Sequence, residues 1–247
     1  KAVQLAHHEA DVCVLGSGAL AGVTFDLDRE FLAKELGLSR VSANSYDVSG
    51  DRDYILLLLS SLSMTSIHLS RIAEDLMIAQ TKPYSLVDID ETFCTGSSMM
   101  PQKKNADFLE LVRGASGVLT GNLYALMGIL KGLPTSYNRD LQWDKRGLHD
   151  SMVILGDILD IFPRLFATLR IDRVRAKEFL ADESLYATDL ADYLVGKGMP
   201  FKTAHETVGK IISFAEENSV AVSKIGLDLL KKFAPEIGGD VYVLFDP

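Results

Sequence analysis

Apolar residues recur along most of the chain at three- and four-residue intervals, the spacing of one face of an α-helix. The longest such stretch, 53–81, opens with Ile55, Leu56, Leu57, Leu58 and Leu59, and at 1.5 Å per residue it predicts a helix about 40 Å long. Its first half is apolar on nearly every face and is expected to be buried on all sides, partly by neighbouring subunits. Its second half is amphipathic, with Ile67, Ile72, Leu76 and Met77 expected inward and Arg71, Glu74, Asp75 and Gln80 toward solvent. His68 is expected to be a packing residue. A second long helix is predicted over 107–131, with Leu109, Val112, Leu119, Leu123, Leu126 and Leu130 as its apolar positions. Gly114, Gly117, Gly121 and Gly128 recur along it, each costing about 1 kcal/mol of helix propensity relative to Ala. Close helix–helix approach is the expected compensation. A third long helix, 145–169, places Leu148, Met152, Leu155, Ile158 and Leu159 inward, and Pro163 is expected to kink or interrupt it.

The stretches between these helices are polar and rich in turn residues. Residues 1–14 read as the end of a helix leading into a turn, and 28–36 as a short helix. Segment 39–52 is a polar connection, in which Asp51 or Asp53 can cap the long helix that follows. After Arg170-Ile171-Asp172 the pattern shortens to segments 174–180, 188–195, 203–218 and 223–232. Thr203 and Glu206 there have the spacing of a capping box. The expected architecture is all-α, with a bundle of long helices over 1–170 and a small helical domain over 171–247.

Composition narrows the function classes. The chain has 247 residues, 47% of them hydrophobic and 24% charged, as in ordinary globular proteins. A net charge of -9 argues against nonspecific binding to DNA or RNA. Cys13 and Cys94 are the only cysteines, too few for a disulfide framework or a cysteine zinc site, so a reducing, cytoplasmic setting is expected. The Leu-rich run falls short of the ~20 apolar residues that span a bilayer. No leader pattern is visible at the start, and because residue 1 is Lys the chain is expected to be a piece of something longer.

Two stretches carry candidate chemistry. In Leu15-Gly16-Ser17-Gly18-Ala19-Leu20-Ala21-Gly22, Gly16, Gly18 and Ala21 fit a dinucleotide-binding glycine pattern, and Glu35 loosely supplies its acidic partner. No second strand and crossover helix follow, so this reading is set aside. The other stretch is Thr92-Phe93-Cys94-Thr95-Gly96-Ser97-Ser98-Met99-Met100-Pro101-Gln102-Lys103-Lys104-Asn105, between the first two long helices. Gly and Ser leave its backbone free to move, and Pro101 blocks helical continuation. Lys103, Lys104 and Asn105 are expected where the next helix begins, so that cations and free N–H donors converge on an anion such as a carboxylate or phosphate. By composition alone, a solvated polar linker is the favoured reading.

Gly-Ser-Ser-Met-Met-Pro-Gln-Lys-Lys-Asn resembles the signature loop of the fumarase/aspartase superfamily, whose members eliminate fumarate from substituted succinates. Its Gln-Lys-Lys-Asn ending resembles the argininosuccinate lyase branch and its δ-crystallin relatives. Fumarases have a loop similar to Pro-Gly-Lys-Val-Asn at this point, and adenylosuccinate lyases one similar to Pro-His-Lys-Arg-Asn. The likeness runs from about Leu15 to the end, through Gly-Ser-Gly-Ala-Leu-Ala-Gly, Asn44-Ser45, Asp51-Arg52-Asp53 and the segment Ala187-Thr188-Asp189-Leu190-Ala191-Asp192-Tyr193-Leu194-Val195.

The resemblance implies reversible elimination of argininosuccinate to arginine and fumarate, a homotetramer with active sites shared between subunits, and no metal or organic cofactor. Ser97 matches the family's catalytic serine, taken to remove the Cβ proton, and Lys103 matches the lysine that stabilises the charge then formed. Asn105 matches a carboxylate-binding asparagine. Glu110 matches an acid that orients a histidine of another subunit, although by itself it is an ordinary surface glutamate. Tyr137, Gln142 and Lys145, in the second polar connection (132–144 and the start of the third helix), match positions that bind the arginine-bearing substrate. A lysine at a helix start is mildly disfavoured by the helix dipole, which speaks for a functional Lys145.

Departures from the family pattern are Ala106 where a proline is expected, and Trp143 and Arg146 where acids are expected. The family's general-acid histidine, in a Thr-His-containing motif upstream of the Gly-Ser-Gly turn, has no counterpart in residues 1–14, and His7 and His8 are poor substitutes. The chain is therefore expected to hold only part of an active site. Rival readings are another fumarate-releasing lyase and a noncatalytic, crystallin-like structural protein.

Overall fold

The computed structural model describes residues 1–96, 99–100 and 103–245. The chain divides into two compact units, Lys1–Arg170 and Ile171–Pro247.

The first unit is built on three long helices, α4 (Asp53–Gln80), α5 (Asp107–Leu130) and α6 (Asp144–Thr168), preceded by α1 (Ala2–Ala10), α2 (Arg29–Glu35) and α3 (Ser45–Val48). Two apolar clusters show how the long helices run. Ala73 near the end of α4 packs with Leu109 and Val112 at the start of α5 and with Phe162 and Leu165 near the end of α6. Ile55 and Leu59, early in α4, pack with Leu126 late in α5 and Leu148 early in α6. Thus α5 is antiparallel to both neighbours, as short connections between consecutive helices favour.

Buried serines explain how an apolar-looking α4 fits its neighbour. Ser63 donates its hydroxyl to the Leu119 carbonyl of α5 at 3.2 Å, while Ser61 and Ser66 return theirs to α4 carbonyls at Leu57 and Ser63. Each buried hydroxyl is thereby satisfied, at no cost in unpaired polar groups. Asp51 accepts from the backbone N–H of Asp53 at 2.7 Å, so the helix start is capped as the sequence indicates.

Several sequence expectations about facing are corrected. In α6 the inward stripe is Ser151, Leu155, Ile158, Phe162 and Leu165, an alternation of four- and three-residue steps. Met152 and Leu159 stand one residue, about 100°, off that stripe and are exposed. On α4, Ile67 and Ile72 of the amphipathic second half likewise lie outside the stripe and are exposed with Ile78, and in the apolar first half Met64 is exposed within one chain. His68 is exposed too, not packed. Among the described residues, α4 is the one helix long and apolar enough to cross a bilayer by length and composition, although its Leu-rich run by itself is too short. Within this unit it packs on α1, α5 and α6 as a bundle helix. A Cβ at Gly114, Gly117, Gly121 or Gly128 would meet nothing within 4 Å, so these glycines serve no close approach inside the chain. Helix α6 continues through Pro163 to Thr168 without interruption.

The second unit consists of α7 (Arg173–Leu180), α8 (Ala187–Gly196), α9 (Phe201–Glu217) and α10 (Leu227–Phe233), closed by a 3-10 turn at Gly239–Phe245. Leu190, Leu194, Val208, Ile211, Leu230 and Ile237 form its core. Thr203 is not the cap of α9: the helix starts directly after Pro200, whose extended ψ of 137° sets the entry, and Thr203 lies in the first turn. Gly198, at φ +99°, makes the reversal out of α8 that L residues rarely adopt. The closing turn is held by Asp240, whose carboxylate accepts from the Tyr193 hydroxyl at 2.7 Å and from Lys197 at 2.8 Å.

Those two bonds, Lys197 first, hold the Asp240 carboxyl below its ordinary value. A depressed carboxyl pKa contributes stability that is present above the unfolded-state value and is lost as pH falls through the folded-state one. Asp240→Asn is therefore expected to lower the melting temperature at pH 7 slightly, as befits an exposed pair. The gap to the parent chain should close as pH falls below the aspartate range, in thermal melts followed by circular dichroism.

Candidate functional site

Candidate residues occupy two regions of the first unit, at the two ends of α5. The first surrounds the signature loop. Ile89 is fully buried beside Leu109 and anchors the incoming chain. Asp90 caps the turn Glu91–Phe93, accepting from the Thr92 N–H at 2.9 Å and its hydroxyl at 2.7 Å, and these bonds hold its carboxyl below the ordinary value. Thr95–Gly96 then pairs antiparallel with Lys104–Asn105, Thr95 opposite Asn105 and Gly96 opposite Lys104. The stem is stapled twice. Lys104 donates to Asp88 at 2.8 Å, which with the charge of Asp88 raises the lysine above its usual value, and the Thr95 hydroxyl bonds to the Asp107 carboxylate.

Ser97, the candidate base, lies outside the described residues, as do Ser98, Pro101 and Gln102. Lys103 is exposed and its N–H donates to the Met100 carbonyl at 2.9 Å. Asn105 is half-buried, and Glu110 is exposed in the first turn of α5. The expectation that Lys103, Lys104 and Asn105 sit at the helix start is corrected: Lys104 and Asn105 form a short strand, and α5 begins at Asp107 with two acids, Asp107 and Glu110, in its first turn. Its free N–H groups are thus matched by carboxylates of the chain itself. Ala106, where the family pattern has proline, is buried.

The second region lies at the far end of α5. Ser136 takes a left-handed φ of +73°, is buried, and shares a 2.9 Å hydroxyl contact with Ser49. Its carbonyl comes so close to Gly50 that a Cβ there would lie 2.4 Å away. Glycine is needed at position 50 for this approach. The docked loop presents Tyr137, whose hydroxyl accepts from the Gln142 amide at 3.2 Å. The turn Arg139–Trp143, pinned by buried Leu141, leads into α6 at Asp144.

Asp144 is 3% exposed, and one carboxylate oxygen accepts from Arg52 Nε at 2.6 Å while the other accepts from Lys145 Nζ at 3.0 Å. Asp144, Lys145, Arg52 and Tyr137 line a cavity of about 620 Å³ together with Ser17 and Gly18 of the Gly-Ser-Gly turn. That turn is held by Arg29, which donates to Ser17 and Ser42 hydroxyls and to the Leu15 carbonyl. Gly18, at φ +65°, would place a Cβ 2.5 Å from the Gly22 carbonyl. Among the described residues, the neighbouring strand Val12–Cys13 pairs only with Arg40–Val41, two residues long, which is not the sheet a dinucleotide site is built on. Acids crowd an adjoining surface: burial and the charges of Asp51, Asp47 and Glu9 raise the Asp53 carboxyl above its ordinary value.

Tyr137, Gln142 and Lys145 are thus brought together, whereas Lys103, Asn105 and Glu110 lie at the opposite end of α5. The 24 residues of that helix span about 36 Å between the two ends. The Arg52–Asp144 pair is a feature that the sequence did not reveal. Its members stand 92 positions apart, and no local spacing signals such a contact. Gly50→Ala is expected to lower stability by about 1–3 kcal/mol in urea unfolding, because the added methyl must displace the Ser136 carbonyl.

Comparison with known proteins follows this geometry. A lyase family model matches residues 1–121, and a model of the argininosuccinate lyase C-terminal region matches residues 184–247. An argininosuccinate lyase of Caldicellulosiruptor bescii is 46% identical over 228 residues, 92% of this chain and 49% of that protein. Another, from Pelotomaculum thermopropionicum, is 43% identical over 96% of this chain and 51% of its own length. The chain spans about half the length of these curated relatives. Among solved structures, an EDDS lyase variant with bound fumarate is 25% identical with a TM-score of 0.80, covering 99% of this chain and 50% of that one. A class II fumarase of Schistosoma mansoni, 15% identical, has the same fold with a TM-score of 0.77 over 96% of this chain and 54% of that one.

Proposed function

From the premise that the chain belongs to the argininosuccinate lyase family of the fumarase/aspartase superfamily, we propose that the whole protein eliminates argininosuccinate reversibly to arginine and fumarate in the cytoplasm. The family match over nearly the whole chain carries this reading. The bound fumarate of the EDDS lyase variant accords with it, since fumarate is the product proposed here.

The chemistry requires removal of a weakly acidic proton beside a carboxylate, which leaves a dianionic aci-carboxylate. Ser97 takes the proton, and its hydroxyl must be activated by a nearby cation or oriented amides in a site closed to water. Lys103 stabilises the developing charge, Asn105 holds a substrate carboxylate, and Glu110 orients a histidine of another copy. Tyr137, Gln142 and Lys145 hold the arginine-bearing end, the tyrosine already tied to the glutamine. Collapse of the aci-carboxylate then breaks the C–N bond and releases fumarate, and the departing guanidino nitrogen takes a proton from a general acid that residues 1–14 do not supply.

One chain cannot bring Lys103, Asn105 and Glu110 to the same substrate as Tyr137, Gln142 and Lys145, because the two sets lie at opposite ends of α5. The proposal therefore includes a homotetramer in which the loop of one copy meets the cavity of another. The exposed apolar residues Met64, Ile67, Leu111, Val118, Tyr124 and Met152 on the long helices support burial against further copies, as do the open glycines of α5.

Ultraviolet assay of the whole protein with argininosuccinate, adenylosuccinate, aspartate and malate should show fumarate release from argininosuccinate alone. Release from another of the four would move the assignment within the superfamily, and no release by a folded assembly would favour a structural role. Ser97→Ala should lower kcat by about 10²–10⁴-fold while leaving helicity and substrate binding near those of the parent. Near-normal turnover would remove Ser97 as the base. Lys103→Met and Lys145→Met should each be inactive alone, and chains carrying one or the other, mixed and reassembled, should regain measurable turnover. Failure to regain any would count against sites shared between copies.

A further inference from the structure

The Asp144 cluster is asymmetric in a way that assigns a role to Arg52. The Asp144 side chain is 2% exposed, so its carboxylate depends on partners within the protein. Arg52 is 13% exposed and fixed at two points, its Nε on Asp144 and its Nη1 on the Asp51 carbonyl. Lys145 meets the other carboxylate oxygen with a side chain that is 79% exposed, at the edge of the same cavity. One partner is therefore built in, and the other is free to leave.

We propose that Arg52 is a positioning residue: it keeps Asp144 satisfied so that the Lys145 amine can turn from Asp144 to an anionic group of a ligand in the cavity. The inference rests on the substrate-binding role given to Lys145 above. With Arg52 in place, departure of Lys145 leaves a hydrogen-bonded, neutral Arg52–Asp144 pair. Without Arg52, the same departure would leave a buried carboxylate unpaired, a strongly unfavourable state. Loss of Arg52 therefore traps Lys145 on Asp144 and withdraws it from the ligand, although Arg52 itself touches no substrate. Loss of both charges, in Arg52→Gln/Asp144→Asn, releases the lysine again.

Two readouts on the whole protein test this. In argininosuccinate turnover, Arg52→Gln should raise KM about tenfold or more with kcat changed less than about threefold, and Arg52→Gln/Asp144→Asn should return KM to within about threefold of the parent. Independently of activity, acetylation of Lys145 by acetic anhydride, followed by peptide mass spectrometry, should slow in Arg52→Gln and recover in the double variant. Asp144→Asn alone, which removes the buried charge and so guards against a misfolded Arg52→Gln, should label faster than the parent. A double variant as impaired as Arg52→Gln, or an Asp144→Asn protein whose Lys145 labels no faster, would overturn the proposal. A parent protein that releases no fumarate from argininosuccinate would remove the function proposed above, and the labelling series would still decide whether Arg52 governs Lys145.

Discussion

An α-helix advances a fixed distance per residue, and the whole arrangement of this chain follows from that constraint as it acts on α5. The helix has no irregular turn in its 24 residues, so it separates its two ends by about 36 Å. One end carries the stapled stem of the signature loop and the other the docked loop of Tyr137. Helices α4 and α6, antiparallel to α5, then deliver Asp53 and Asp144 to the Tyr137 end and their own last turns to the signature-loop end. Each end has a separate apolar cluster beneath it. Candidate chemistry is thereby divided within one copy, and a site that uses both ends has to be assembled from several.

At each end, exposed polar residues such as Lys103 and Lys145 stand beside buried ones. Buried Ile89 and Ala106 flank the paired strands Thr95–Gly96 and Lys104–Asn105 of the signature loop. At the opposite end, buried Ser136 and Leu141 fix the segment that presents Tyr137 and Gln142. The same division holds between neighbours in sequence: Asp144 is buried and Lys145 exposed. Reactive or binding groups placed this way keep their freedom to rearrange while their backbone is held by packing, a condition for a loop that must close on a ligand.

The outward faces of the long helices follow a different logic. Apolar residues that a single chain leaves exposed, and glycines that approach nothing within it, have little reason to persist on a surface meant for water. Those on α4, α5 and α6 fit the homotetramer proposed above, in which the divided site calls for further copies. In the assembly proposed above, stability and site formation would depend on the same surfaces.

Periodicity alone was enough for the three long helices and the all-α class, because a run of apolar residues at helical spacing over seven turns has no comparable alternative. It also marked the buried stripe of α5 at Leu109, Val112, Leu119 and Leu126. It misjudged Ile67, Ile72, Met152 and Leu159, because hydrophobicity shows that a residue is to be covered and not whether its own chain covers it. Likewise, composition alone did not set the loop after Thr92 apart from a solvated linker, and the likeness to a known lyase loop gave it meaning. That Lys104 and Asn105 form a strand, that Gly50 is required beneath Ser136, and that Arg52 grips Asp144 were settled by tertiary structure alone. These are contacts between segments far apart in the chain, made by how the helices pack, and no local pattern of residues records them.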